Sequence, residues 1–389
     1  MQSFEFNNPT KIIFGLDQEN KVGKEIAPYS RKILLHYGGG SIKMNGLYDR
    51  VVAALKDEGI EFVELGGVQP NPRLSLVREG VDICKAQGLS FVLAVGGGSV
   101  IDSAKAIALG ALYEGDVWDF YTGKETPAAA LPVGTILTIP AAGSESSTGS
   151  VITNDDGQWK RPVNSDLLYP KFSILNPALA FSLPKYQIGC GATDILAHLM
   201  ERYFTNVEHV EFTDRLIEAT MKTVLHNVPK ILDNHTDYDA WAEVMWAGTI
   251  AHNNLLNQGR VGDWGSHDIE HEISGIYDVA HGAGLAVVFP AWMKYVHKHD
   301  LDRFVQFAVR VFNVEQDFKD KEETALRGIR ALEEFLMRIG MQVRLSGLGI
   351  LDDRLHEMAR KGTQNDTITL GNFVPLGEKD VYEILRLAI

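Results

Sequence analysis

The first half of the chain alternates short apolar runs with segments of helical period. Four runs are predicted as buried strands: "KILLHY" (32–37), "EFVELGG" (61–67), "SFVLAVGGGS" (90–99) and "TILTIP" (135–140). Three segments with apolar residues at helical spacing are predicted as helices: 45–59, 74–88 and 100–112. Strands that alternate with helices indicate a parallel sheet with helices on both faces.

The pattern changes near Pro177–Pro184, and from Gly189 onward the apolar positions follow a helical period with few strand signals. Ten of the twelve histidines fall between 198 and 299. The sequence therefore predicts two domains, an α/β domain over 1–180 and an all-helical domain over 181–389.

Composition narrows the class of protein. With 37 basic and 51 acidic residues the net charge is −14, which opposes binding to nucleic acid or an anionic membrane. The two cysteines, Cys84 and Cys190, exclude a disulfide scaffold and a thiolate zinc cluster. No apolar run reaches the ~18 residues of a membrane helix, and the first ten residues lack a signal-peptide pattern. We expect a cytoplasmic protein.

Two glycine-rich loops follow predicted strands. In "AVGGGSVIDSAK" (94–105) the glycines Gly96, Gly97 and Gly98 let the backbone approach a phosphate at the start of a helix, and Ser99 adds a hydroxyl. The pattern is not GxGxxG, so the strict dinucleotide fingerprint is absent. The alternative is a tight turn without a ligand.

The second loop, "HYGGGSIKMNG" (36–46), bears on the choice of cofactor. Dinucleotide folds that use NAD(H) hold the ribose 2′-hydroxyl with an acid in this region. This loop has no Asp or Glu and offers Gly39, Gly40, Ser41 and Lys43 instead. The composition favours NADP(H), with Ser41 or Lys43 in contact with the 2′-phosphate. The alternative is that this loop is only a turn and binds no cofactor.

Histidines and one aspartate are candidates for a metal site. In the predicted helix "CGATDILAHLMERYF" (190–204), Asp194 and His198 lie one turn apart on one face. His267 and His271 in "HDIEHEISGIYDVAH" (267–281) are spaced in the same way. His281 would be ~21 Å from His267 along a continuous helix, so it joins them only if the chain turns back.

We expect that turn at Ser274–Gly275, with Gly275 as the C-cap. Asp194, His198 and two histidines of the hairpin would offer one oxygen and three nitrogens, a set that suits Fe²⁺ or Zn²⁺. Two alternatives stay open. "HDIEH" matches the HxxEH zinc-peptidase motif with Glu270 as base, although the glycine loops would then have no purpose. The histidines could also be ordinary helix residues.

Longer motifs in the chain resemble the iron-containing (metal-dependent) alcohol dehydrogenases, and within them the NADP-dependent butanol or aldehyde dehydrogenase branch. The resemblance covers essentially the whole chain. Its most specific segments are "QPNPRLSLVREG", "VGGGSVIDSAKAIA", "TIPAAGSESS", "LPKYQIGCGATDILAHLMERY" and "HDIEHEISGIYDVAHGAGLAVVFPAW". It implies a Rossmann-like dinucleotide-binding domain followed by an all-α metal-binding domain, the architecture of dehydroquinate synthase.

The resemblance also implies site residues. Those matching the family's metal ligands are Asp194, His198, His267 and His281, and His271 matches a histidine near the metal but outside its shell. Those at positions around the cofactor are Asn71, Gly97, Gly98, Ser99, Asp102, Thr138, Ser144, Lys160 and the region of Leu179.

The implied activity is reversible hydride transfer between NADP(H) and a primary alcohol or aldehyde, with the metal as a Lewis acid. Fe²⁺ is the expected ion, and Zn²⁺, Ni²⁺ or Co²⁺ fit the same donors. We expect His271 to relay the proton and the chain to form a homodimer. The alternatives on the same fold are a glycerol dehydrogenase-like enzyme and a dehydroquinate synthase-like NAD enzyme.

Overall fold

The computed structural model describes all residues from 1 to 389. The chain forms two compact units, one of Asn7–Ser182 and one of Leu183–Ile389 together with Met1–Phe6. The first is a parallel sheet with helices and the second is helical, so the predicted fold class is confirmed. The predicted domain limits, 1–180 and 181–389, stay a prediction.

The first unit contains a six-stranded parallel sheet in the order β1-β8-β5-β4-β2-β3 and a separate antiparallel hairpin, β6–β7. The strands are β1 Lys11–Phe14, β2 Lys32–Tyr37, β3 Glu61–Leu65, β4 Val92–Gly96, β5 Val133–Leu137, β6 Gly149–Asn154, β7 Trp159–Asn164 and β8 Phe172–Leu175. The four predicted strands correspond to β2, β3, β4 and β5, whereas β1, β8 and the hairpin were not predicted.

Helices cover this sheet, as the alternation of apolar runs and helical segments predicts. They are α1 Val22–Ile26, α2 Ser41–Met44, α3 Leu47–Asp57, α4 Leu74–Gln87, α5 Gly98–Gly110 and α6 Trp118–Tyr121. The central strands have nearly continuous apolar sequences because helices bury them. Leu35, Leu93, Ile136 and Ile174, from four neighbouring strands, belong to one buried cluster and are fully buried.

The parallel pairing brings three loops to one edge of the sheet. β4 pairs with β2 on one side and with β5 on the other. The loops that follow these strands therefore leave from adjacent carboxyl ends, where α/β sheets bind nucleotides.

The second unit is helical, and none of its residues belongs to a named strand. Its helices are α7 Lys185–Tyr203, α8 Glu211–Asp233, α9 Tyr238–His252, α10 Gly265–Tyr277, α11 His281–Val296, α12 Leu301–Phe312, α13 Lys321–Arg338, α14 Leu355–Gly362 and α15 Glu378–Leu387. No helix in the molecule combines the length and the apolar character that a membrane crossing requires.

Aromatic rings form part of the core of the helical unit. Phe204, at the end of α7, packs against Phe304 with ring centres 4.6 Å apart, and Trp292 and Phe373 lie within 6.0 Å of it. All four side chains are at most 1% exposed. Such ring clusters bury much apolar area and fix α7 against α11 and α12.

Candidate metal and cofactor sites

Helix α7 carries two of the predicted metal ligands on one face. Asp194 and His198 are each 4% exposed, and Asp194 Oδ1 lies 3.3 Å from His198 Nδ1. Apolar neighbours such as Ile195 and Leu199 are fully buried on the other faces of the helix. Every residue of the helix from Gly191 to Tyr203 is buried, so this polar pair lies in its buried part.

Helices α10 and α11 supply the histidines and are joined by the turn that the spacing requires. The turn does not lie at Ser274–Gly275 as expected: α10 continues to Tyr277, and Asp278 ends it in the left-handed conformation with φ 54°. The prediction of Gly275 as the C-cap is therefore wrong. Continuation for one further turn buries Ile276, which is 8% exposed.

Close packing of α7 and α11 places His281 near Asp194. A Cβ atom on Gly282 would lie 2.1 Å from the carbonyl oxygen of Cys190, so only glycine allows this approach. As a result His281 Nε2 is 3.9 Å from Asp194 Oδ1.

One ligand atom from each of Asp194, His267 and His281 lies within 4.8 Å of the other two. His198 borders this set, because its ring centre is 4.7 Å from that of His267. His271 belongs to a second set, in which one ligand atom from each of Glu270, His271 and His281 lies within 4.8 Å of the other two. The structure thus gathers all five predicted residues, with Asp194, His267 and His281 in the tightest set.

The chemistry of this cluster fits a divalent cation. Burial, with a smaller effect of His252, holds the pKa of His198 well below its usual value, and the neutral imidazole is the form that binds metals. No hydrogen bond satisfies the buried His198 Nδ1. Asp194 brings a carboxylate into this buried site, and a buried negative charge needs a compensating cation.

Two carboxylates lie beside the cluster; the sequence analysis missed Glu201 and considered Glu270 only as the base of a zinc peptidase. Glu201 accepts a hydrogen bond from His267 Nδ1 at 2.8 Å, and Glu270 accepts one from His281 Nδ1. Burial raises the pKa of Glu201 to about 8, although the backbone N–H groups of His267 and Trp264 lower it. The spacing of Glu201 from Asp194, seven residues or two helical turns, is the signal that could have identified it.

Two basic residues border His198 and also escaped prediction. The His252 ring lies 4.1 Å from the His198 ring, centre to centre. Arg202 donates to the His198 carbonyl oxygen at 2.8 Å and lies over the Trp264 ring. Arg202 follows His198 by one turn of α7, a spacing that the sequence does show. His252 lies on α9 and comes close to His198 only through tertiary packing, so the sequence carries no signal for it.

The predicted phosphate loop follows β4 and opens α5. Gly97 is the N-cap, and Gly98 and Ser99 are the first helical residues. A Cβ on Gly98 would lie 2.9 Å from Ala142 Cβ, so glycine permits close contact with the loop after β5. Thr138 begins that loop and donates its N–H to the Gly96 carbonyl oxygen at 3.0 Å.

Asp102 and a lysine that was not predicted fix the loop after β5. Asp102 accepts hydrogen bonds from Ser144 Oγ at 2.6 Å and from the Val151 N–H at 2.9 Å. Lys105 is fully buried, and its ammonium donates to the carbonyl oxygens of Ser144, Ser147 and Gly149. Asp102 and Ser144 thus bond to each other as part of the scaffold around α5.

Other predicted cofactor residues also belong to the α/β unit. Asn71 follows β3 in the left-handed conformation with φ 52°, and Leu179 follows β8. Lys160 lies on the hairpin strand β7 and is 4% exposed. The structure thus places Asn71 and Leu179 after strands of the sheet, but Lys160 on the hairpin.

The loop after β2 holds Gly39, Gly40 and Ser41. A Cβ on Gly39 or Gly40 would meet no atom within 4 Å, so open space surrounds both. Lys43 Nζ lies 3.3 Å from Glu64, an acid of β3 that the sequence analysis did not connect with this loop. Tyr37 and Tyr48 also donate to Glu64. Burial acts to raise the pKa of Glu64, but these hydrogen bonds and that of Lys43 together lower it.

Comparison with known families defines the class of this protein. Residues 9–177 match the model "Iron-containing alcohol dehydrogenase", and residues 190–389 match "Fe-containing alcohol dehydrogenase family, C-terminal". The chain belongs to the iron-containing alcohol dehydrogenase family, and it is an enzyme of alcohol and aldehyde oxidoreduction. Membership implies a nicotinamide cofactor and a metal, commonly iron.

Individual relatives agree over the full length. The chain is 45% identical to a probable NADH-dependent butanol dehydrogenase of Bacillus subtilis, with 100% of both chains covered. It is 33% identical to an NADPH-dependent aldehyde reductase of Escherichia coli, over 95% of both. A crystal structure of NADH-dependent butanol dehydrogenase A from Thermotoga maritima superposes with a TM-score of 0.96 at 44% identity, covering 100% of this chain and 99% of that one.

Proposed function

We propose that the chain catalyses reversible hydride transfer between NADP(H) and a short primary alcohol or its aldehyde, such as butanol and butanal. The observation that carries this proposal is the cluster of Asp194, His267 and His281, of which the first two are buried and the third is half-buried, in a chain that also has a glycine-rich loop at the start of a helix. The name of the Bacillus subtilis relative agrees with butanol as the substrate. That the enzyme is a cytoplasmic homodimer stays a prediction.

Asp194, His198, His267 and His281 would hold the cation. When bound, the cation supplies a Lewis acid for the substrate oxygen and the nicotinamide supplies or accepts the hydride. Asp194 brings the one negative charge of the set, and neutral His198 adds nitrogen without adding positive charge. This balance leaves a bound divalent ion with net positive charge, which is what polarisation of a carbonyl requires.

His271 is the proposed proton carrier. It lies one turn after His267 on α10, and its ring centre is 5.7 Å from that of His281. We expect it to exchange the proton of the alcohol with solvent. The His271→Ala variant should lower turnover and alter the pH–rate profile, and full turnover with an unchanged profile would refute the role.

Some observations favour NADP(H) as the cofactor and others favour NAD(H). The open space around Gly39 and Gly40 and the absence of an acid in their loop favour room for a 2′-phosphate. Against this, Glu64 engages Lys43, the one basic residue of the loop, and the Bacillus subtilis relative is named NADH-dependent. We retain NADP(H), and kcat/KM for NADPH should exceed that for NADH. A ratio below one would assign the enzyme to NAD(H).

Assays of the purified enzyme with Fe²⁺, NADPH and butanal test the proposal through the absorbance of the reduced nicotinamide. We expect oxidation of NADPH that depends on the aldehyde. If no short aldehyde supports oxidation with either NADPH or NADH, the proposal fails, and glycerol and a dehydroquinate synthase substrate become the next compounds to test. A zinc peptidase with Glu270 as base is disfavoured, because this carboxylate bonds to His281 and Ser274.

A further inference from the structure

Two glutamates next to the candidate metal ligands are fully buried, yet neither is needed to complete the proposed ligand set. Glu201 lies on α7, one turn after His198, and Glu270 lies on α10, one turn before Ser274. Both are 0% exposed. A buried carboxylate is costly unless its oxygens are satisfied by donors, so its partners indicate what it does.

The partners of Glu201 are the start of α10 and the ring of His267. One carboxylate oxygen accepts from the His267 N–H at 3.0 Å and from His267 Nδ1 at 2.8 Å, and the other accepts from the Trp264 N–H at 2.5 Å. The backbone N–H groups at a helix N-terminus lack partners within the helix. Glu201 therefore caps the N-terminus of α10 and also holds the ring of His267.

The partners of Glu270 lie at the other end of the same helix and in the next one. One oxygen accepts from Ser274 Oγ and the other from His281 Nδ1. The serine fixes the carboxylate, and the carboxylate fixes the ring of His281. The other ring nitrogen, Nε2, is the one 3.9 Å from Asp194.

Both imidazoles are thus bonded to a carboxylate in the same way. A neutral imidazole carries its proton on one nitrogen and a lone pair on the other, and a hydrogen bond from Nδ1–H places the lone pair on Nε2. We propose that Glu201 and Glu270 are positioning residues that hold His267 and His281 by Nδ1 and so make Nε2 the ligand atom of each. The proposal rests on the metal ligands of the proposed function.

This inference gives the "HDIEH" motif a different meaning from that of a zinc peptidase. Glu270 bonds to a ligand histidine and is not a base for water. A rival arrangement exists, because Glu270, His271 and His281 also have ligand atoms within 4.8 Å of one another. In that arrangement Glu270 would bind the cation directly.

Substitutions at Glu270 separate these possibilities. In Glu270→Ala the His281 ring loses its acceptor. In Glu270→Gln the amide oxygen still accepts from Nδ1–H, and the amide N–H can donate to Ser274 Oγ. Glu272→Gln is the matched control, because Glu272 lies on the same helix, is 2% exposed and forms an ion pair with Lys361.

The measurement is the dissociation constant for Zn²⁺ alone, from competition with a chelator, without substrate. Loss of a carboxylate behind a ligand histidine weakens metal binding by about 10–100-fold. We expect that loss in Glu270→Ala, a much smaller one in Glu270→Gln and none in Glu272→Gln. The affinity for NADPH, from its fluorescence, should stay unchanged in all three.

Unchanged Zn²⁺ affinity in Glu270→Ala would overturn the inference, and an equal loss in Glu270→Gln and Glu270→Ala would make Glu270 a ligand instead. Should Glu270→Ala not fold, Ser274→Ala releases the carboxylate while keeping its charge and should weaken Zn²⁺ binding to a lesser extent; unchanged affinity there refutes the positioning. A wild-type protein that binds no metal would instead refute the proposed function.

Discussion

The contacts of the buried Lys105 allow a quantitative prediction about the loop after β5, which is part of the proposed cofactor site. Its ammonium donates to three backbone carbonyl oxygens, of Ser144, Ser147 and Gly149, at 2.7 to 2.9 Å. In Lys105→Met the side chain keeps a similar length but donates nothing. Each carbonyl left unsatisfied in the interior costs about 1–3 kcal/mol, or about 3–9 kcal/mol for the three.

Removing the buried charge recovers part of this cost. Burial lowers the pKa of Lys105 from 10.5 to about 8. At about 1.4 kcal/mol per pH unit, removal of the charge therefore recovers about 3 kcal/mol. The net loss is then about 3 kcal/mol for the segment from Gly143 to Val151. We expect amide hydrogen exchange there to become about a hundredfold faster, since 1.4 kcal/mol is a factor of ten.

Mass spectrometry of exchanged peptides measures this directly, and NADPH affinity should fall in the same variant because Ser144 is in the segment. The control is Lys56→Met, since Lys56 is exposed on α3. If exchange in the segment of Lys105→Met stays within about twofold of the wild type, the lysine does not hold the loop and the reasoning is refuted.

Two other predictions concern stability. Burial lowers the pKa of His36 to about 4, and its two ring nitrogens bond to the Leu65 carbonyl oxygen and Ser103 Oγ. Because only the unfolded chain then takes up this proton below pH 6.5, the free energy of unfolding should fall by about 3 kcal/mol between pH 6.5 and 4. When that free energy is measured by urea unfolding at several pH values, His36→Gln should lack this part of the pH dependence. An identical pH dependence in the variant would contradict the assignment. Gly282→Ala should destabilise the protein by about 1–3 kcal/mol or more and weaken Zn²⁺ binding, because its Cβ would lie 2.1 Å from the Cys190 carbonyl oxygen. Alanine in place of glycine usually stabilises a helix, so a stabilised variant would refute the close packing.

The sequence predicted the architecture because its signals are local. The run "KILLHY" coincides with β2, since a fully buried parallel strand needs continuous apolar residues and glycines mark its end. The hairpin β6–β7 was missed although "NDDG" (154–157) between its strands is a turn signal. Its mixed polar composition hid the strands.

The candidate site could be predicted only in part. Helical spacing pairs Asp194 with His198 and His267 with His271, but no local pattern reports the tertiary contact between α7 and α11. The turn was misplaced because glycine was expected to end α10, whereas Asp278 adopts the left-handed conformation instead. The spacing of Glu201 places it on the same face of α7 as Asp194 but does not show its bond to His267, 66 residues away. No spacing shows the contacts of Lys105 across 39 to 44 residues of chain.

We propose above that this chain reduces aldehydes with a nicotinamide cofactor and a metal held by Asp194, His198, His267 and His281. The most direct test is the rate of NADPH oxidation by butanal, measured with chelator-stripped enzyme before and after addition of Fe²⁺. We expect no turnover by the stripped enzyme, recovery with Fe²⁺, and no recovery in Asp194→Ala. Full turnover by the stripped enzyme, or Fe²⁺-restored turnover in Asp194→Ala, would contradict it.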